Sequence, residues 1–251
     1  AQAAGGLMAA NGHVDGPPLA APEGAGDSGT GLHMAIGILA ALHQRERTGE
    51  GQHVEVSMQD GIVNLMRIRL MRSLGPGGPN RRRGPSGPSG APSVFPCRPG
   101  GYEDYIMINL RDDLWEVVLA VIGREDLIGD ARYATNEARG QRVDEVEALV
   151  TAWTSKRTKH EAFHELAPMG VWCGPVLSPE EVLDDEQLLA REMIVDVEDP
   201  VRGDYQMIGC PIKLQESPAK VVRAPLYSQH TDEVLSSILG VSDAEIVGLR
   251  E

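Results

Sequence analysis

In the run Gly26-Asp27-Ser28-Gly29 a carboxylate and a hydroxyl stand between glycines, directly before a stretch with helical periodicity. The same four letters surround the nucleophile of trypsin-like serine proteases, but that chemistry needs a His and an Asp well upstream on other strands of an all-β fold. Here 25 residues precede the run and a long helical pattern follows it, so a serine nucleophile is excluded. Gly26, Gly29 and Gly31 do not form the GxGxxG spacing, and no buried-type strand precedes them, which argues against a dinucleotide site. Two readings of Asp27 remain. As a helix N-cap its side chain would accept a backbone N–H, a contribution of about 1 kcal/mol. As a nucleophile it would need no general base, because an aspartate is ionised at pH 7. The residues alone permit both.

Other candidates carry less. The seven histidines, among them His160 and His164 four apart on an expected helix, show no metal-ligand spacing with carboxylates, so no metal site is expected. Arg81-Arg82-Arg83 reads as a basic stretch of loop, with phosphate contact as the sharper alternative. Trp115, Trp153 and Trp172 read as packing anchors. Glu180-Glu181 and Asp184-Asp185-Glu186 read as helix-start and surface charge.

The elements that must position Asp27 follow from pattern. Residues 28–46 place Leu32, Ala35, Ile36, Leu39 and Leu42 on one helix face, widened by Ile38, which predicts a helix lying deep between layers. A turn at 48–51 ends it, and 53–58 alternates polar and apolar as a strand does. Asp60 is then expected to cap a helix carrying Ile62, Leu65, Met66 and Leu70. From 73 to 101 there are eight Gly and seven Pro in 29 residues, a composition in which no regular element is expected. A loop of that length is either a linker or a functional lid. Beyond it the pattern predicts a strand at 105–109, helices at 113–122 and 143–153, and a helix capped by Thr158 that carries Phe163 and Leu166. A strand at 171–177 follows, then a helix opened by Pro179, strands at 192–198 and 205–208, and two short helices at 231–239 and 242–249. The fold class is α/β with a second lobe bounded by linkers.

Composition sets the outer limits. The chain has 251 residues, 41% apolar and 24% charged, with only 4% aromatic, so it is long enough for a sizeable and mainly aliphatic core. A net charge of −14 repels a nucleic-acid backbone, which excludes that partner class. No run of about 18 apolar residues suggests a membrane span, and the opening lacks a signal-peptide layout. Cys97, Cys173 and Cys210 are too few and scattered for a disulfide framework and read as free thiols, in keeping with a cytoplasmic protein. The first residue is not Met and the first ten are small and apolar, so a fragment of a longer protein is expected.

The segment DGPPLAAPEGAGDSGTGLHMAIGILAALHQRERTGEGQHVEVSMQDGIVNLMRIRL resembles the core of the class III CoA-transferases, the CaiB/BaiF family. CGPVLSPEEVLDD and RAPLYSQHTDEVLSSILG resemble its C-terminal part in the same order, so the likeness spreads over most of the chain. Within the family the likeness is greatest to the branch that moves CoA from formyl-CoA to oxalate or a similar small acid.

The resemblance implies that Asp27 is the catalytic nucleophile and that Met58 lies near the bound CoA. It implies that Gly26 and Gly29 bind substrate, together with Gly87 and Gly90 of the family's glycine loop, where this sequence has GPSGAP. It implies an incomplete Rossmann-like large domain with the catalytic Asp (1–72), a linker and glycine-type loop (73–92), a smaller α/β domain (93–180) and a C-terminal linker and return segment (181–251). CoA thioester enters as substrate, with no permanently bound cofactor, and the partners implied are acyl-CoA, a carboxylic acid and a second copy in an interlocked homodimer. Acyl-CoA racemases of the same family also place an Asp before this helix. They need a His partner, whose usual position would precede residue 1. A non-catalytic truncated chain is the third reading.

Overall fold

The structure, a computed structural model, describes residues 1–13, 15–74 and 92–250. The chain divides into two compact units, Ala1–Val176 and Leu177–Glu251.

The first unit opens with a single helical turn, α1 (Leu7–Ala10), followed by α2 (Ala25–Thr48), α3 (Met58–Leu65) and α4 (Arg67–Leu74). Helix α2 begins three residues earlier than its apolar periodicity indicates, because Gly24 takes a left-handed conformation (φ 77°) as N-cap. Gly49, also left-handed, closes the other end by donating its N–H to Arg45 O.

Three expectations need correction here. The apolar face of α2 is not buried among the described residues: Leu32, Ile36 and Leu39 are 64–67% exposed. Periodicity identifies a face that requires a partner but cannot supply one. Residues 53–57 form no strand, since alternation makes a strand only where a neighbouring backbone pairs with it. Val54 and Val56 are nonetheless less exposed than the residues between them. The cap of α3 is Ser57, whose hydroxyl accepts from Asp60 N at 3.1 Å; Asp60 sits one turn inside.

The rest of this unit is a small α/β layer pair. Strands β1 (Val94–Pro96), β2 (Tyr105–Ile108) and β3 (Cys173–Pro175) form an antiparallel sheet in the order β1-β2-β3, with Phe95 opposite Ile106 and Ile108 opposite Cys173. Strand β1 lies inside the Gly- and Pro-rich region, which therefore does hold a regular element where Val94 and Phe95 give the sheet something to bury.

Between β2 and β3 run α5 (Trp115–Val121), α6 (Asn136–Gly140), α7 (Val143–Thr154) and α8 (Lys159–Leu166), with 3-10 turns at Glu125–Leu127 and Ala167–Met169. Phe95, Ile106, Ile108, Val118, Leu119, Val146, Val150 and Leu166 are fully buried together. Each large aliphatic or aromatic side chain among them contributes on the order of 1.5–3 kcal/mol. The Thr158–Glu161 capping box starts α8 as the sequence predicts. Thr154 Oγ1 donates to Pro96 O at 2.7 Å and ties α7 to β1.

Trp115 and Trp153 are core residues, but Trp172 is 58% exposed, with the Arg111 guanidinium stacked 4.3 Å from its ring centre. Burial pushes the Cys97 thiol up to about 11, so it stays protonated at neutral pH.

The second unit holds α9 (Pro179–Leu183), α10 (Glu186–Ala190), the antiparallel pair β4 (Ile194–Val197) and β5 (Tyr205–Ile208), and helices α11 (Thr231–Ser237) and α12 (Asp243–Gly248). Ser178 and Ser242 cap their helices through capping boxes, and Pro179 takes the first helical position. Glu192 ends α10 with φ 53°, and a β-carbon on Gly209 would lie 1.9 Å from Glu192 O, so position 209 admits only glycine.

Candidate active site

The carboxylate proposed for chemistry stands at the most glycine-rich point of a helix. Between residues 24 and 31 four of eight positions are glycine, and the three inside α2 each cost about 1 kcal/mol of helix stability relative to alanine. Asp27 occupies the third position of α2, not the cap. Its side chain is exposed and forms no hydrogen bond or ion pair with the described residues. The helix dipole favours a negative charge there. No side chain caps this end, and among the described residues no acceptor takes the N–H groups of Gly26 and Asp27. An anionic carboxylate and free amide donors thus share one helix end, the pairing an acyl transfer requires for attack and for holding the oxyanion that follows.

Gly26 and Gly29 are both buried, Gly29 against α3 and Gly26 against α3 and the Ala1 side chain. A β-carbon on Gly26 would stand 3.4 Å from Met58 Cε, and one on Gly29 would stand 2.7 Å from Leu65 Cδ1. From the other side, a β-carbon on Gly61 would stand 2.7 Å from Thr30 Oγ1. Small residues at all three points let the two helices approach closely. The structure therefore brings Gly26, Asp27, Gly29 and Met58 into one neighbourhood, with Met58 partly exposed beside the glycine that precedes the carboxylate. Gly87 and Gly90 lie outside the described residues, as do Arg81, Arg82 and Arg83.

Residues that pattern reading passes over complete the site. Thr30 Oγ1 donates to Gly26 O at 2.6 Å. His33 Nδ1 meets Gly29 O at 2.6 Å, and its Nε2 meets Asn64 Nδ2 of α3 at 2.5 Å. In sequence His33 is one of seven scattered histidines. Its only signal is the four-residue spacing to Gly29, which is invisible without the helix. Among the described residues no cluster of three His, Cys, Asp or Glu side chains could hold a metal ion, and no helix is long and apolar enough to cross a membrane.

The α/β fold has a close parallel among solved structures. A CaiB/BaiF family protein from Brucella suis, solved as a crystal structure, superposes with a TM-score of 0.78 at 28% identity, over 94% of this chain and 61% of that one. The chain matches CoA-transferase family III over residues 1–231 and belongs to that family. Relatives include a formyl-CoA:oxalate CoA-transferase of Streptomyces coelicolor, 40% identical over 98% of this chain and 63% of that protein. Another, from Rhodopseudomonas palustris strain CGA009, is 38% identical over the whole of this chain and 64% of its own length. The chain thus spans under two thirds of the length of these relatives.

Proposed function

We propose that the protein transfers coenzyme A between carboxylic acids, from formyl-CoA to oxalate or a similar small acid, with Asp27 as nucleophile. The observation that carries this reading is the exposed carboxylate of Asp27, unpaired among the described residues, at the glycine-lined start of α2, in a chain of CoA-transferase family III. A carboxylate Oδ of Asp27 attacks the thioester carbonyl carbon, the C–S bond breaks, and CoA leaves as thiolate. The resulting mixed anhydride is attacked at the Asp27 carbonyl by that thiolate, which expels the first carboxylate and leaves an aspartyl-CoA thioester. The acceptor carboxylate then attacks the Asp27 carbonyl and releases the thiolate. In the last step the thiolate attacks the acceptor carbonyl and regenerates Asp27. No net proton moves, and each intermediate stays activated.

The amides of Gly26 and Asp27 are the donors for the oxyanions, and Met58 packs beside the CoA thioester. Gly29 shapes the same site, and the family resemblance gives Gly87 and Gly90 a role in binding substrate. The segments 1–72, 93–180 and 181–251 form large domain, small domain and return segment, with 73–92 as the connection. The protein works in the cytoplasm as a homodimer. The exposed apolar face of α2 supports a covering partner there.

The test is Asp27→Ala in the full-length protein, assayed by mass spectrometry for acyl-CoA exchange against a panel of acids. Exchange should vanish while the circular dichroism spectrum and melting temperature change little, because Asp27 makes no side-chain bond that its removal would break. Retained exchange would remove Asp27 from the mechanism.

A further inference from the structure

Helix α2 starts on glycines, so the turn that carries Asp27 is the part of the helix least able to hold its own shape. Two side chains brace it by bonding back to carbonyls four residues earlier: Thr30 to Gly26 O, and His33 to Gly29 O. The second brace does not end within α2, because the far nitrogen of the same imidazole meets Asn64 on α3. The protonation pattern follows from the partners. A backbone carbonyl only accepts, so Nδ1 carries the proton; the Asn64 amide nitrogen only donates, so Nε2 offers its lone pair. Asn64 lies on α3 between Gly61 and Leu65, the positions that meet Thr30 and Gly29.

We infer that His33, held as the Nδ1–H tautomer by Asn64, is a positioning residue that sets the register of the Asp27 turn of α2 against α3 and Met58. This rests on the reading of Asp27 as nucleophile. Its effect on chemistry is through geometry: the carboxylate must meet a thioester carbonyl along a fixed line, and displacements of about 1 Å cost up to about a hundredfold in rate. Loss of the brace should therefore lower kcat and leave the CoA-ester KM nearly unchanged, because His33 and Asn64 act on the turn rather than on the ester.

The experiment combines ¹⁵N-histidine NMR with kinetics on the full-length protein. In the native protein the His33 ring should show a protonated Nδ1 and an unprotonated Nε2, the reverse of the form free imidazole prefers. His33→Leu and Asn64→Leu should each lower kcat about tenfold with KM within about twofold. His33→Gln, which keeps one donor and one acceptor, should restore most of the loss. An Nε2–H tautomer in the native protein overturns the proposal, and so does wild-type kcat in both leucine variants. Should a leucine variant fail to fold, the native tautomer and the His33→Gln kinetics decide. Activity surviving in Asp27→Ala would overturn the nucleophile assignment instead, a result the tautomer measurement does not depend on.

Discussion

The terminal methyl of Met58 lies 3.4 Å from the point where a β-carbon on Gly26 would stand, so the residue before Asp27 and the first residue of α3 share one contact. Separating the two roles of that contact is straightforward. Gly26→Ala adds a methyl at van der Waals distance from a flexible side chain, and alanine is the better helix former by roughly 0.5–1 kcal/mol. Stability in urea should rise or hold, whereas CoA exchange should fall about tenfold as the added methyl restricts Met58 and the space beside the carboxylate. Unchanged exchange would show that the Gly26–Met58 contact is helix packing with no part in catalysis.

Acid should weaken the small α/β layer through one ion pair. Glu161 accepts both its short bonds from the Arg98 guanidinium at 2.8 Å and a third from Thr158 N, and Arg98 holds its carboxyl down to about 2 from an ordinary 4.5. A depressed carboxylate stabilises the fold above about pH 4.5, and that contribution disappears as pH falls toward 2. Glu161→Gln keeps the capping box and removes the charge. Its melting temperature should lie below wild type at pH 6, with the gap closing between pH 4.5 and pH 2. No gap at pH 6 would assign the stabilisation to the cap, which the glutamine keeps.

Arg139 is fully buried and spends its guanidinium on three oxygens: Tyr133 O at 2.6 Å, Leu110 O at 2.8 Å and Asp112 Oδ1 at 2.7 Å. Asp112 also accepts from Asn136 N. Burial pulls the Arg139 pKa down while Asp112 opposes it. Asp112→Ala leaves a buried cation without its counter-charge and should cost about 2–3 kcal/mol, read as a lower urea midpoint at constant slope. Asp113→Ala, in the exposed neighbouring pair with Arg111, should leave the midpoint unchanged. Equal effects would mean that the Arg139 network adds nothing beyond surface charge.

Local chemistry was legible from the letters alone. Ser178, Ser242 and Thr158 each stand three residues before a glutamate, and each caps a helix where that spacing predicts. Val146 and Val150, four apart, face the core of α7. Strands β4 and β5 fall within their alternating stretches. Asp27 was conspicuous as a carboxylate among glycines at a helix start, although the letters alone left cap and nucleophile both open. These features share one property: the interacting groups lie within four residues of each other, so sequence spacing is already spatial distance.

What the tertiary structure decided depends on pairs far apart in sequence. Residues 53–57 alternate like a strand yet pair with no strand among the described residues, and a ladder needs two backbones. Trp172 lies outside the core, with Arg111, 61 positions earlier, stacked on its face. Gly26 and Gly29 lie against Met58 and Leu65 of α3, a contact no spacing within α2 announces. The His33–Asn64 bridge crosses 31 positions, and its tautomer is fixed by which atoms meet. Sequence thus determined where a carboxylate stands at a helix start. Only the packing of α3 on α2 decided what surrounds it, because contact between distant residues depends on shape complementarity that no local spacing encodes.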